Sequence, residues 1–380
     1  MSPAPFQLGI VLLLGALLSA SAQSPADALA LEQQQKWAEA AAVWKAITLR
    51  NPSAVAFAEM GVDLSRAQKY DEAAAAYRKA LKLNPRLPGI ELNLGLAEFK
   101  QGHFTAATAA LRSVLATDPS NAQARTVLGM SYYGAKKFDL ASQTLEPIAK
   151  SQPDNAELHQ IVAQACLWAK NLTCAEDEFR FLLQQSPDSA PTHVLLGEAL
   201  DGLGRTPEAI AEFEAAAKIS PNEPNVHFGL GYLHWKSQQY DEAKQELERE
   251  LALDPNHAQA LAYLGDIEWK GNHPDEALPL LKRAEAAKKD LRIVYVDLGA
   301  IYMQQKDYNA AQKALLRAVA LDPTQPDAHY QLGHLYQAQG KTAEAAAELH
   351  KVQELHKQAE EGLVGKISSA PPALDPVVTK

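Results

Sequence analysis

Nine alanines and nine small residues recur along this chain at a spacing of 34. The alanines are Ala73, Ala107, Ala141, Ala175, Ala209, Ala243, Ala277, Ala311 and Ala345. The small residues are Gly61, Gly95, Gly129, Ala163, Gly197, Gly231, Gly265, Gly299 and Gly333. Neither series slips. A fixed period of about 20–50 residues marks a repeat architecture and outranks any local reading of secondary structure. Arrays of this kind bury their core by stacking each unit on its neighbours. They present long concave surfaces, which moves the expectation from reaction toward binding.

One period shows why. In residues 122–155 the first half carries Val127, Leu128, Tyr132 and Tyr133, and the second carries Phe138, Ala141, Leu145 and Ile148. Steps of three and four put each set on one helical face. Two antiparallel helices per period follow. The small residue in the eighth slot is expected to face the alanine in the twentieth, where the helices cross closely. Pro85, Pro119, Pro153, Pro187, Pro221, Pro255 and Pro323 share one phase and should end each second helix. Lys289 and Lys357 stand there in the two repeats without proline.

These residues resemble the tetratricopeptide repeat family. Leu196–Gly197, Leu230–Gly231, Leu264–Gly265, Leu298–Gly299 and Leu332–Gly333 match its central pair. Tyr132, Tyr302 and Tyr336 match its tyrosine, and YDEAAAAY from Tyr70 and YDEAKQEL from Tyr240 match its second helix. The resemblance implies an all-α tetratricopeptide-repeat α-solenoid, a right-handed superhelix of antiparallel helix pairs. Nine tandem repeats are assigned to residues 54–359, with a degenerate helix pair at 23–53 that is one residue out of phase. Departures from the family pattern fall at Glu98, Glu268 and His234 in the eleventh slot and at Glu250 in the second helix. Pro147 inside a second helix is expected to kink it or remove a hydrogen bond.

Residues 1–22 read as a signal peptide: Leu8 to Leu18 is apolar, and Ala20-Ser21-Ala22 supplies small residues for cleavage before Gln23. The segment lacks Lys and Arg, so an uncleaved membrane anchor is the alternative. Export to the periplasm or the extracellular space is the expected localisation. Residues 360–380 are rich in Pro and Ala and predict a disordered tail too short for a catalytic domain. A net charge of −10 without basic blocks disfavours nucleic acid. The two cysteines, Cys166 and Cys174, fall in one repeat. An oxidising compartment would permit a disulfide between them. The other reading is a core cysteine and a surface thiol. Asn171-Leu172-Thr173 is a glycosylation sequon only by pattern.

No catalytic constellation, phosphate loop, cofactor fingerprint or metal-ligand spacing is recognisable. His159, His193, His227 and His329 share the fourth slot of their repeats and read as half-buried rings rather than metal ligands. The resemblance implies that slots 2, 5, 9, 12 and 13 line the concave groove. Those slots hold Phe99, Tyr133, Trp168, Phe228, Tyr232, Trp235, Trp269 and Tyr330, with Arg66, Lys100, Lys236 and Lys270 beside them and Glu157, Glu198, Asp201 and Asp266 adding acid. Aromatic and cationic side chains together are common binding anchors. The lysines would take a ligand's carboxylates or backbone carbonyls. The opposing reading is that the rings pack between repeats. The ninth slots contain no asparagine, unlike the chaperone-tail clamps of the family. The expected function is a non-catalytic exported scaffold that binds partner proteins or peptides in a bacterial cell-envelope assembly. The alternative is an accessory scaffold of a separate envelope glycosyltransferase, protease or polysaccharide-export system.

Overall fold

The computed structural model describes residues 24–369, and its twenty elements are all α-helices. The signal segment expected over residues 1–22 and the last residues of the expected tail, 370–380, lie outside the described residues. Among the described residues no helix is long and apolar enough to cross a membrane.

The chain divides after Asn171 into two compact units. The first holds α1 (Pro25–Gln33), α2 (Trp37–Arg50), α3 (Ala54–Arg66), α4 (Tyr70–Leu83), α5 (Ile90–Lys100), α6 (Phe104–Thr117), α7 (Ala122–Gly134), α8 (Phe138–Ser151) and α9 (Ala156–Trp168). The second begins with α10 (Leu172–Gln185), α11 (Ala190–Gly202), α12 (Thr206–Ile219), α13 (Val226–Lys236), α14 (Tyr240–Leu253) and α15 (Ala258–Lys270). It continues with α16 (Pro274–Ala287), α17 (Arg292–Gln304), α18 (Tyr308–Leu321), α19 (Pro326–Ala338) and α20 (Thr342–Ser369). Each helix packs on the next in sequence within its unit. In the first unit α3 also touches α5, and α5 touches α7; in the second, α11, α13, α15, α17 and α19 touch in succession. Among the described residues the second helices make no comparable contact with one another. Each row therefore curves with its first helices on the inner side.

The turn inside every repeat has one construction. The fifteenth slot adopts a left-handed conformation: Gln68, Lys136, Gln238, Asn272 and Lys306 at φ 57–61°, and Gly102, Gly204 and Gly340 at φ 74–77°. The next amide reaches back five residues, as in Lys137 N–H to the Tyr132 carbonyl at 2.9 Å and Gln239 N–H to the His234 carbonyl at 2.9 Å. This bond satisfies a carbonyl that the end of the first helix would leave unpaired.

The helix crossing adds a second neighbour to the expected glycine–alanine approach, which is seen between Gly197 and the Ala209 carbonyl and between Gly333 and the Ala345 carbonyl. A Cβ on Gly231 would lie 2.7 Å from Leu247 Cγ, and one on Gly265 would lie 2.8 Å from Leu281 Cγ. Gly61, Gly95, Gly129, Gly197, Gly299 and Gly333 likewise face the large side chain sixteen residues on. The glycine makes room for that side chain, and the alanine of the twentieth slot is buried beside it.

Proline inside a helix removes a hydrogen bond, as expected at Pro147, and its absence from a closing slot brings one more correction. Pro147 does not end α8, which runs on to Ser151. Pro147 is exposed, as is Gln143 one turn back, so the unpaired Gln143 carbonyl is on the solvent side. At the C-terminus α20 continues through Lys357 for 28 residues, so the segment expected to be disordered from residue 360 is helical as far as 369. No proline stands in its closing slot to clash with the preceding turn. In the other repeat without proline, α16 still stops at Ala287. There the Lys289 carbonyl accepts from Tyr295 Oη at 3.2 Å and from Arg317 Nη2 at 2.9 Å.

Candidate functional site

Three of the four fourth-slot histidines fasten the loop between repeats. Nε2 of His193, His227 and His329 donates to the carbonyl of Pro187, Pro221 and Pro323 at 3.0, 2.9 and 3.3 Å. Nδ1 of the same three meets Glu212, Glu246 and Glu348 at 2.6, 2.7 and 2.6 Å. Tyr295 occupies the same slot and makes the equivalent bond to Lys289. Each of the three imidazoles thus ties the preceding turn to its own second helix. Among the described residues no group of three or more His, Cys, Asp or Glu side chains could hold a metal ion.

The acidic departures from the family pattern are satisfied locally. Buried Glu98 is bridged by Arg78 and by His103 Nδ1 at 3.1 Å. Glu268 meets Lys244 Nζ at 2.6 Å and His273 Nδ1 at 3.0 Å. Burial opposes ionisation of Glu268, but Lys244 and His273 outweigh it and hold the carboxyl below its ordinary range. Exposed-side His234 bonds Gln239 through Nδ1 at 2.8 Å. Glu250 has a distinct role. Asn225 at φ 65° delays the start of α13 by two residues. The Phe228 amide, one of the unpaired donors of that first turn, bonds Glu250 Oε2 at 3.1 Å.

In the first unit the structure brings Tyr133 and Trp168 together. Their rings stack 5.7 Å apart at 28°, and Phe138 lies 4.8 Å from Trp168. Tyr133 Oη donates to Gln164 Oε1 at 2.6 Å. Burial raises the Tyr133 hydroxyl above its ordinary pKa. Trp168 keeps half its surface exposed. Phe99 turns instead toward Phe104 at 5.9 Å and the core around Leu111 and Leu128. Lys100 is exposed at the end of α5. Arg66 lies 4.6 Å from the centre of the Trp37 ring.

The second unit gathers a larger group. Phe228, Tyr232 and Trp235 form a ladder along α13, with successive centroids 6.3 and 6.1 Å apart. Tyr263 of α15 closes against all three, at 6.2, 5.3 and 4.7 Å, and His257 lies 4.8 Å from Phe228. Burial, then Tyr232 and Asp266, push the Tyr263 hydroxyl up to about 12. Trp235 Nε1 donates to Asp266 Oδ2 at 2.5 Å, and Lys270 Nζ reaches the same oxygen at 2.8 Å while lying 4.9 Å from the Trp235 ring centre. Lys236 Nζ binds Asp201 Oδ1 at 2.6 Å. Asp201 raises the Lys236 pKa, mainly through that hydrogen bond.

Of the three lysines assigned to ligand carboxylates, Lys236 and Lys270 are therefore engaged by aspartates of the same face, whereas Lys100 is exposed. Trp269 is not in the ladder: it packs on the core around Leu261, Leu281 and Leu298. Tyr330 is half-exposed on α19, edge-on to His334 at 4.4 Å. Tyr263 and His257 escaped the sequence reading because they occupy slots six and 34, outside the set attributed to the groove. Neither Cys166 nor Cys174 is a free thiol.

These contacts predict that Trp235 is partly structural. Trp235→Ala is expected to cost about 2–3 kcal/mol, since it removes a packed ring and one donor to buried Asp266. Trp235→Phe keeps most of the packing and is expected to cost about 1 kcal/mol. Thermal unfolding followed by circular dichroism checks this; equal and negligible losses would place the ring in solvent.

Helix pairs repeated at 34 residues, with aromatic and charged side chains on the inner helices, define an all-α helical-hairpin array. Models of the tetratricopeptide repeat match residues 98–165, 228–291 and 326–358, and a TPR repeat model matches residues 66–102, 197–238 and 299–340. The chain belongs to the tetratricopeptide repeat family, and its fold is the all-α solenoid of that family. No curated protein matches the chain in sequence. Among solved structures, the APC/C hetero-tetramer Cut9-Hcn1 is similar at 16% identity and a TM-score of 0.52, covering 87% of this chain and 80% of that one. The C-terminal part of a TPR repeat-containing protein from Cytophaga hutchinsonii is 18% identical with a TM-score of 0.47, covering 63% and 99%. YrrB, described as a TPR protein with an unusual peptide-binding site, is 20% identical with a TM-score of 0.38, covering 50% and 97%. These likenesses are of fold alone.

Proposed function

We propose that this protein is a non-catalytic, exported scaffold that holds partner proteins or peptides on the inner helices of its array, within a cell-envelope assembly. The observation that carries the reading is the Phe228–Tyr232–Trp235–Tyr263 group on α13 and α15, flanked by the Asp201–Lys236 and Asp266–Lys270 pairs. Rigid rings beside charged groups supply contact area at little entropic cost and fix a partner's register. The apolar segment at residues 8–18, followed by small residues, supports export.

The test is a crosslinked pull-down from the protein's own cell envelope, run beside Tyr232→Ala. Tyr232 is half-buried and packs on Phe228, Trp235 and Tyr263, so the variant is expected to fold with a lowered melting temperature, and its folded state is established by circular dichroism before capture is compared. A partner captured by the native protein and lost from the folded variant supports the reading. Equal capture by both moves binding off this face. Recovery of the protein only from the cytosolic fraction overturns export.

A further inference from the structure

We propose that a cavity between α16, α17 and α18 binds a small organic monocarboxylate with an apolar body. None of its residues occupies a groove slot, so this site is separate from the one described above. The cavity measures about 510 Å³, within the roughly 300–1,000 Å³ usual for small-molecule pockets. Leu298 and Tyr302 line its apolar side, and Glu285, Lys313 and Arg317 bring charge to it.

The sequence of this repeat explains the cavity. In three other repeats a fourth-slot histidine meets a glutamate nineteen residues on, as His227 Nδ1 meets Glu246 at 2.7 Å. Glu246 also takes Arg249 Nη1 at 2.5 Å. In the repeat of α17 and α18 the same two slots hold Tyr295 and Ala314, and both line the cavity. Alanine leaves the volume of the glutamate side chain open. It also removes the carboxylate that an arginine three residues on would pair with. Arg317 stands in the slot of Arg249. Its Nη2 donates instead to the Lys289 carbonyl at 2.9 Å, and its guanidinium lies 5.8 Å from the centre of the Tyr295 ring. That bond fixes the guanidinium and uses one of its five donors. Lys313 has no hydrogen bond or ion pair among the described residues. A ligand carboxylate would take the place of the absent glutamate, against a fixed guanidinium and an unpaired ammonium. Glu285 limits the ligand's charge, since two cations and one acid leave a single positive charge to neutralise. The first repeat makes a similar exchange, with Phe57 and Ala76, but Ala75 stands there in place of Lys313.

Isothermal titration calorimetry of the full chain tests this with 4-phenylbutyrate and its neutral twin, 4-phenylbutyramide. The acid is expected to bind about tenfold more tightly than the amide at low salt, and the gap should narrow as ionic strength rises. Ala314→Leu fills the cavity without adding charge and should abolish binding. Lys313→Gln keeps the room, removes one cation, and should weaken the acid severalfold while leaving the amide unchanged. Tyr232→Ala, in the groove, should alter neither. Melting curves establish that each variant is folded. Equal binding of acid and amide overturns the proposal, as does binding of neither. Acid affinity that survives Ala314→Leu or is unchanged in Lys313→Gln also overturns it. Loss of acid binding in Tyr232→Ala would place the acid in the groove and overturn it as well.

Discussion

Gly231→Leu is expected to break the hairpin of α13 and α14 and to lower the melting temperature more than any groove substitution. A Cβ at this position would stand 2.7 Å from Leu247 Cγ, 2.8 Å from Leu247 Cδ2 and 3.2 Å from the Leu247 backbone nitrogen. The first two could give way by a change of rotamer, but the backbone contact cannot. Leu247 is itself fully buried, so there is no space for it to enter. Overpacking of this kind costs about 3 kcal/mol or more, which is roughly 6–12 °C in melting temperature for a domain of this size. Leu247 shares a core cluster with Ala243, Ala260, Leu264 and Ile267, against which Phe228, Trp235 and Tyr263 pack. The damage should therefore reach the ring ladder and appear as a change in near-ultraviolet circular dichroism. One slot further on, Tyr232 is large and half-exposed, so bulk itself is not the problem. Unchanged melting in Gly231→Leu would mean that the helices do not cross here.

Asp63→Asn is expected to raise stability at neutral and alkaline pH and to leave it unchanged in acid. Asp63 on α3 is 1% exposed, and neither carboxylate oxygen has a hydrogen-bond partner among the described residues. Burial, then the charge of Glu32, push its carboxyl from 3.8 up to about 7, against the pull of Arg66. The sign follows from proton binding. Below about pH 3.8 the folded and unfolded chains both carry the proton, and the acid causes no loss. Between that value and about 7 the folded chain holds a proton that the unfolded chain has released, so stability falls as pH rises. Above about 7 both are ionised, and the loss is complete, roughly 2–4 kcal/mol. An asparagine amide has no such window. Melts of the native and variant proteins from pH 4 to 8 should diverge steadily and then run parallel. Parallel curves throughout would show that Asp63 ionises without penalty.

The 34-residue period was enough to place the helix pairs from α3 onward, because it records where side chains must be small and where a chain must turn. It did not reveal what the small residues make room for. Glycine and alanine recur with the same period, so they looked like partners, but each glycine also admits the leucine, phenylalanine or tyrosine sixteen positions on. The role of the histidines was available in the spacing, since each of three has a glutamate nineteen residues later and a proline carbonyl six residues earlier. The ring ladder was half legible. Phe228, Tyr232 and Trp235 follow from helical spacing on one element, but Tyr263 enters from the neighbouring helix, and its inclusion depends on how far a side chain reaches across the seam. The ion pairs of Lys236 and Lys270 depend on side-chain direction in the same way. Phe99 and Trp269 sat in the right slots and turned toward the core.

The repeated left-handed turn bears on how such a chain can change in length. Every joint between paired helices is set by the backbone of one slot and one reach-back amide bond, and residues as unlike as Gln68, Lys136, Asn272 and Gly340 fill that slot. The joint is therefore indifferent to its side chain, and adjacent periods are interchangeable parts. Excision or duplication of one whole period leaves every remaining joint intact, whereas a change of any other length puts a helix interior where a joint should be. The inner surface can then grow or shrink only in whole-repeat steps, and the length of partner it contacts is counted in repeats rather than in residues.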